Sequence, residues 1–190
     1  NEDQLLNAHI AENLQRKDLA PLEEAEGLLS LVAKAEQRGI TLSTVEIARR
    51  VGKPAEHIAL RMQLNNLLPE AKKDLRDGWL ETRIAETVAS YPLEQQKEIY
   101  EFCYEKEWVK GKYLPNKQKP HNLRAVNEKI ASQITLDLAF APFSLTSTEL
   151  NNCRQSCLDC QKRTGAQVLL FSDLTRAKKD LCLDKPCFLG

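Results

Sequence analysis

Four cysteines near the carboxyl end have the residue type and spacing of a metal site. Cys157-x2-Cys160 and Cys182-x4-Cys187 supply two pairs of thiolates, separated by a loop of about twenty residues, which suits a tetrahedral Zn²⁺ ion held by four sulfurs. Soft sulfur ligands favour zinc over magnesium or calcium. Four protein ligands leave no open coordination position, so we expect a structural zinc site rather than a catalytic one.

The segment around these cysteines has few large apolar side chains, so metal binding would contribute directly to its folding. Four thiolates on one Zn²⁺ leave two negative charges, and nearby cations in the sequence could offset them: Lys162, Arg163 and Lys185. A set of disulfides is the alternative, and the absence of a secretion signal disfavours it.

Two further cysteines have simpler interpretations. Cys153 lies four residues before Cys157, on the same face if a helix leads into the knuckle. It is either an alternative ligand or a buried thiol, and we prefer the buried thiol. Cys103 lies between two aromatic residues in a predicted helix and is interpreted as a core residue.

The elements that precede the cysteines are predicted to be helical. Apolar residues at helical spacing predict a first helix from Pro21 to Arg38, and "STVE" at 43–46 predicts a capping box that begins a second helix. Gly52 ends this helix and Pro54 opens a third. Further helices are predicted over 69–77, 80–90, 92–109 and from Leu123 towards Pro142, with a loop "KGKYLPNKQKPHN" and an extended run "AQVLLF".

The second and third helices have the pattern of a helix-turn-helix, with Ala48 where the helices approach, Gly52 in the turn and Ile58 returning to the core. The start of the third helix would then face a major groove, and flanking cations would contact phosphates. The predicted DNA-binding residues are Ser43, Thr44, Arg49, Arg50, Lys53, Ala55, Glu56, His57 and Arg61. Within this set, Ala55, Glu56 and His57 are predicted to lie at the start of the third helix, where side chains reach base edges. Arg61 is predicted to lie one turn further along, on the same side as His57. An ordinary helical hairpin is the alternative.

Composition limits the class of protein. The 190 residues carry no formal net charge, which gives no overall attraction to nucleic acid. Apolar runs are too short to span a bilayer, so we expect a protein without a membrane segment. The fold class is mainly α: a multi-helix body with a helix-turn-helix, followed by a small cysteine-rich zinc-binding tail. We expect a linker remnant at 1–20, a helical DNA-binding domain at 21–142 and the tail at 145–190.

The order of several segments resembles the ParB/RepB/Spo0J partition proteins. "ENLQRKDLAPLEEAEGL" at 12–28 precedes the helix-turn-helix, and "LPEAKKDLRDG" follows at 68–78. "LDLAFAPFSL", "CLDCQKRTG", "LLFSD" and "DLCLDKPCF" further resemble a plasmid- and phage-associated branch with a cysteine-rich tail. The resemblance implies a bacterial, cytoplasmic protein at the nucleoid or a plasmid.

The resemblance also implies a nucleotide. In the family, a domain before "ENLQR" binds CTP and magnesium near the residues that correspond to Glu12, Asn13 and Arg16. The arginine-rich motif of that domain is missing here, so we expect a fragment of a longer polypeptide that neither binds nor hydrolyses CTP. Family members bind palindromic DNA as dimers, so a homodimer is expected for the full-length protein.

Three functions follow as hypotheses. The leading one is site-selective binding of double-stranded DNA in partition or associated regulation, without enzymatic activity. Basic residues in "KGKYLPNKQKPHNLR" could add phosphate contacts, with Tyr113 packed rather than stacked on bases. The second is a protein-interaction adaptor with a degenerate helix-turn-helix, which Ala55 and Leu60 favour. The third is a CTP-dependent DNA clamp in the full-length parent.

Overall fold

In the computed structural model, which describes residues 19–149 and 155–189, the chain divides into two units between Leu93 and Glu94. This division falls inside the segment 21–142 that the sequence assigns to one helical domain. The described residues are mainly helical, which confirms the mainly α part of the predicted fold class; the zinc-binding tail stays a prediction. None of the helices within the described ranges is long and apolar enough to cross a membrane.

The first unit is built from helices joined by short turns. They are α1 (Pro21–Glu36), α2 (Thr44–Val51), α3 (Ala55–Gln63), α4 (Pro69–Arg76) and α5 (Thr82–Ala89), with a 3-10 turn at Leu64–Asn66.

Local signals define the ends of α2. The Ser43 hydroxyl accepts a hydrogen bond from the backbone N–H of Glu46 at 3.1 Å, which satisfies one of the unpaired amides of the first turn. Gly52 ends the helix with φ of 72°, a left-handed conformation that residues with a Cβ adopt only at a cost. Its N–H donates to the Ala48 carbonyl at 2.9 Å. The polypeptide therefore reverses over three residues and starts α3 at Ala55.

A core of apolar side chains joins α1 to the α2–α3 pair. Ile47 and Ile58 are fully buried and Ala48 is nearly so, and they pack in one cluster with Leu28 and Leu31 of α1. Because α2 and α3 are too short to be stable alone, α1 provides the surface that orients them.

The second unit mixes short helices and strands. Its elements are α6 (Leu93–Phe102), β1 (Tyr104–Val109), β2 (Lys112–Pro120), α7 (Leu123–Lys129), a π-helical turn (Ile130–Ile134), β3 (Leu136–Asp137), α8 (Ser172–Arg176), β4 (Leu181–Cys182) and α9 (Lys185–Leu189). β1 pairs antiparallel with β2, and β3 with β4.

Four predictions about this unit are wrong. The helix expected over 92–109 ends at Phe102, and the loop expected after it is part of a β-hairpin. The hairpin replaces helix because Lys110 and Gly111 both adopt positive φ, 48° and 84°, which makes a two-residue turn matched to the twist of paired strands. The regular helix begun at Leu123 ends at Lys129 rather than near Pro142, and the "AQVLLF" run forms turns instead of a strand.

Candidate functional site

The amino end of α3 is partly exposed to solvent. Pro54 is exposed, and Glu56 and His57 in the first turn of α3 are half-buried, whereas Ile58 and Ala59 are buried. The helix therefore has one face in the core and offers its first turn to solvent, as a recognition helix requires.

A buried carboxylate of α1 lies behind this turn. Glu24 has only 8% of its side chain exposed, and its Oε1 accepts from Lys53 Nζ at 2.5 Å. The same oxygen lies 3.1 Å from His57 Nε2, which must carry the proton because an ionised carboxylate only accepts. The second oxygen, Oε2, accepts from Arg61 Nε at 2.8 Å. The Glu24 carboxylate thus contacts Lys53, in the loop between α2 and α3, and His57 and Arg61, which lie one helical turn apart on α3.

Arg61 continues this network to α5. Its Nη1 donates to Glu86 Oε1 at 2.7 Å, and only 15% of the Arg61 side chain is exposed. Glu86 is itself buried, with Arg83 at 3.8 Å from its other oxygen. Arg61 therefore donates one hydrogen bond to Glu24 and one to Glu86. We call Glu24, Lys53, His57, Arg61 and Glu86 the Glu24 network.

The electrostatics of Glu24 match its contacts. Burial alone would raise the pKa of this carboxyl group, but hydrogen bonds from Lys53, His57 and Arg61 outweigh it and hold the pKa below its usual value. Glu24 is therefore a carboxylate at neutral pH.

The cations of α2 contact a carboxylate on their own helix. Arg49 and Arg50 donate to Glu46 Oε1 at 2.9 Å and 2.8 Å, and these hydrogen bonds, with Arg49 first, lower the pKa of Glu46 to about 2. The predicted capping box is therefore only half present, because Glu46 binds arginines instead of the amide of Ser43. Arg49 keeps 76% of its side chain exposed, whereas Arg50 keeps only 20%.

The predicted DNA-binding residues fall into two groups. Ser43 and Thr44 begin α2, Arg49 is exposed, and Lys53, Glu56 and His57 are partly exposed. Ala55 instead packs against the core cluster, and the contacts of Arg61 favour a positioning role over the predicted contact with a base. DNA contacts by the surface group stay predictions.

Glu24 and Glu86 were not among the predicted site residues. A signal for Glu24 exists, since it shares a helical face with Leu28, Leu31 and Ala35, and a carboxylate on a buried face needs cationic partners. The identity of those partners, 29 to 37 residues away, cannot be read from spacing along α1.

The four cysteines of the second unit surround one cavity. Cys157, Cys160, Cys182 and Cys187 all line a space of about 560 Å³, together with Phe143 and Phe188 among others. Each of the four carries a reduced thiol. Burial, and then the charges of Asp184, Cys160 and Cys157, raise the pKa of Cys182, although the hydrogen bond from the Asp184 backbone acts in the opposite direction.

Backbone geometry prepares two of these sulfurs to accept hydrogen bonds. The Lys162 N–H points to Cys160 Sγ at 3.4 Å, and the Asp184 N–H points to Cys182 Sγ at 3.4 Å. The two segments are joined, because the Leu183 N–H donates to the Lys162 carbonyl at 2.9 Å. Each half of the cluster therefore has the same N–H···S turn two residues after a cysteine.

The cations near the cysteines already have partners. Lys162 Nζ lies 2.7 Å from Asp184 Oδ2, a contact that raises the pKa of Lys162 and lowers that of Asp184. Arg163 pairs with Asp180, and Lys185 donates to the Gln133 carbonyl at 3.3 Å.

The zinc prediction is not confirmed by the side-chain positions. Within residues 19–149 and 155–189, no group of three or more His, Cys, Asp and Glu side chains is arranged to hold a metal ion. The donor set nevertheless fits zinc chemically, since four thiols border one cavity. The predicted nucleotide residues Glu12, Asn13 and Arg16, and Cys153, lie outside the described residues. Cys103 is buried as predicted, and burial raises the pKa of its thiol to about 12.

Sequence comparison places the helix-turn-helix among known proteins. The family described as "ParB HTH domain" matches residues 17–112. The chromosome-partitioning protein Spo0J of Thermus thermophilus is 42% identical over 73 residues, covering 38% of this chain and 25% of that protein. Stage 0 sporulation protein J of Bacillus subtilis is 37% identical over 71 residues, covering 37% and 23%.

Longer matches are weaker. A probable chromosome-partitioning protein ParB of Rickettsia bellii is 25% identical over 159 residues, covering 72% of this chain and 54% of that protein. The chain thus spans between about a quarter and a half of the length of these relatives.

Proposed function

Because the chain belongs to the ParB HTH domain family, which matches residues 17–112, we propose that it binds double-stranded DNA site-selectively in chromosome or plasmid partition. The supporting observation is the Glu24 network, which fixes the half-buried first turn of α3 to α1 and α5. A recognition helix reads a groove only when its direction is fixed relative to its supporting helices.

The first turn of α3 supplies the base contacts in this proposal. A carboxylate accepts from cytosine N4, so Glu56 selects a base pair if its side chain enters the major groove. His57 uses Nε2–H on Glu24, and in this proposal its other ring nitrogen, Nδ1, contacts a base. Arg61 positions the helix from behind.

Phosphate contacts come from α2 and the turn. Arg49 is the most exposed cation of α2, and Lys53 reaches solvent beside Glu24. Such contacts fix orientation and affinity but carry no sequence information.

The test begins with selection of bound duplexes from a random library. Against the selected duplex and a scrambled one, Glu56→Ala should reduce discrimination at one base pair by about tenfold or more. Arg49→Ala should instead weaken both duplexes similarly and lower the salt slope by about one. Fluorescence anisotropy over a salt series measures both quantities.

A matched control is available in α7. Arg124 forms an exposed helical ion pair with Glu128 at 2.8 Å, so Arg124→Ala removes the same chemistry outside the helix-turn-helix. DNA affinity should not change in this variant. Selection that enriches no sequence, with partner-protein binding that is insensitive to salt, would instead favour the adaptor hypothesis.

We further propose that Cys157, Cys160, Cys182 and Cys187 hold a structural Zn²⁺. The thiols that border one cavity and the paired N–H···S turns support this, since backbone amides stabilise thiolate charge. In this proposal the zinc ion has a structural role: it stabilises the fold of the second unit and takes part in no reaction.

The metal proposal is tested by elemental analysis and by thermal unfolding with and without a chelator. Cys160→Ser should lose the bound zinc and the chelator-sensitive part of the unfolding curve. Cys103 is a buried thiol that is not among the residues lining the cavity, so Cys103→Ala should retain one zinc per chain. The proposal would be refuted if wild-type protein, expressed in zinc-containing medium and freshly purified, contained no zinc.

The remaining features belong to the longer protein in this proposal. Dimeric binding to a palindromic site, CTP and magnesium near Glu12, Asn13 and Arg16, and residence at a bacterial nucleoid or plasmid rest on family resemblance. The described residues are proposed to act without catalysis.

A further inference from the structure

The β1–β2 hairpin of the second unit is an extended ribbon with a regular tip. Trp108 pairs with Tyr113 and Val109 with Lys112, and Lys110-Gly111 closes the turn. The base of the ribbon is anchored, because Tyr104 is buried and the His121 N–H donates to the Cys103 carbonyl at 2.8 Å.

The outer half of the ribbon exposes large apolar side chains. Trp108 and Tyr113 are 61% and 67% exposed, and their rings meet edge to face with centroids 4.8 Å apart. Val109 and Leu114 on the opposite face are also exposed. Since directly paired residues of an antiparallel ribbon share a face, the aromatic pair forms one continuous surface that no described core residue covers. A clustered exposure of this kind marks an interaction site.

The ribbon is also cationic. Residues 104–121 contain five lysines and two glutamates, although the whole chain has no net charge. Both glutamates have partners: Glu105 lies 3.7 Å from Lys119, and Glu107 accepts from Asn116 at 2.8 Å. Among the described residues, Lys110 and Lys112 at the tip have no carboxylate within ion-pair distance. The tip therefore presents positive charge beside exposed aromatic rings.

We propose that the β1–β2 hairpin is a second DNA-binding element, which inserts its tip towards a groove and contacts the flanking phosphates. A two-stranded ribbon fits the major groove, and the lysines of the tip complement phosphate charge. Trp108 and Tyr113 then bury their rings against sugar and base edges. The proposal rests on duplex DNA being the ligand, as proposed for the helix-turn-helix, and it assigns affinity rather than sequence choice to the hairpin.

The charge test keeps the turn intact. Lys110→Asn with Lys112→Gln removes two charges, and asparagine before glycine is favoured in this turn type. The expected result is a salt slope smaller by about two for both the selected and the scrambled duplex. A fourfold rise in salt would then weaken wild-type binding about twelvefold more than variant binding, while the affinity ratio of the two duplexes stays constant.

The aromatic test is independent of charge. Trp108→Leu with Tyr113→Leu should weaken binding to both duplexes about tenfold, because the two rings no longer stack on or pack against the DNA. The salt slope should not change. The control is Lys97→Ala with Lys179→Ala, which removes two exposed lysines outside the hairpin and should leave the slope near the wild-type value. Circular dichroism establishes that each variant is folded.

The outcomes separate the two proposals. If the wild-type chain binds no duplex, the proposed function fails. If it binds with site preference but the hairpin variants match the lysine control, only the hairpin proposal is overturned. It is also overturned if the leucine variant changes the mass measured by sedimentation but not DNA affinity, because the aromatic surface then contacts a second copy of the chain.

Discussion

Replacing Glu24 by glutamine removes the negative charge that Lys53, His57 and Arg61 share. Loss of one partner from a buried ion pair costs about 3–5 kcal/mol when the remaining charge has no other contact. Here Lys53 and His57 keep access to solvent, with 36% and 31% of their side chains exposed. Arg61 keeps Glu86 at 2.7 Å, and glutamine retains one acceptor oxygen. We therefore expect a loss of about 2 kcal/mol in the free energy of unfolding of the first unit.

Urea unfolding measures this loss. The chain has two tryptophans, and Trp108 lies in the hairpin, so a Trp108→Phe background leaves Trp79 as the fluorescence probe of the first unit. Glu26→Gln is the matched control on α1, because Glu26 is exposed and pairs with Arg76 only at 3.4 Å. Its effect should stay within about 0.5 kcal/mol.

A second measurement links the network to recognition. DNA affinity of Glu24→Gln should fall even under conditions where the variant is fully folded, because α3 loses its fixed direction. Equal stability changes for Glu24→Gln and Glu26→Gln would refute the reasoning, since the buried carboxylate would then contribute no more than a surface one.

Three other perturbations address the same unit. The pKa of Glu24 is lowered in the folded state. Its contribution to the free energy of unfolding is therefore present above the ordinary pKa of 4.5 and is lost as the pH falls through the lower folded pKa. A pH series of urea midpoints should show this acid loss in wild type but not in Glu24→Gln. Gly52→Ala should destabilise by about 1–2 kcal/mol because φ is 72°, whereas Gly52→Asn should lose less, as thermal unfolding would show. Ser43→Ala should cost about 1 kcal/mol through the lost cap and Ser43→Asp should not; similar melting temperatures for both would contradict this.

The helix-turn-helix was predictable because its signals are local. Ser43 before the second helix and Gly52 after it act within one turn of the chain, so their spacing predicts the element ends. The hairpin was not predicted because the consecutive charged residues Glu105, Lys106 and Glu107 leave the first strand without an apolar–polar alternation. Lys-Gly is also a weaker turn signal than Asn-Gly.

The Glu24 network could be predicted only in part. A carboxylate on the apolar face of α1 signals a need for cations, but several arginines and lysines follow in the sequence. The choice of Lys53 and Arg61 depends on the angle at which α3 crosses α1, which the packing of Leu28 and Ile58 sets. The cysteine spacing predicts two sulfur pairs, and their approach to one cavity depends on the backbone bridge between Arg163 and Cys182.

The internal contacts of the helix-turn-helix limit how strongly it can attract phosphates. Its cations are Arg49, Arg50, Lys53 and Arg61, and each contacts a carboxylate: Glu46 for the first two, Glu24 for the others, with Glu86 added for Arg61. These carboxylates partly neutralise the cations that fix the direction of α3, so the cations attract DNA phosphates less strongly. An affinity that depends steeply on salt needs cations free of such partners. On this reasoning the positive charge of the β1–β2 hairpin should supply most of the salt-dependent affinity, while the Glu24 network governs which bases the first turn of α3 can meet.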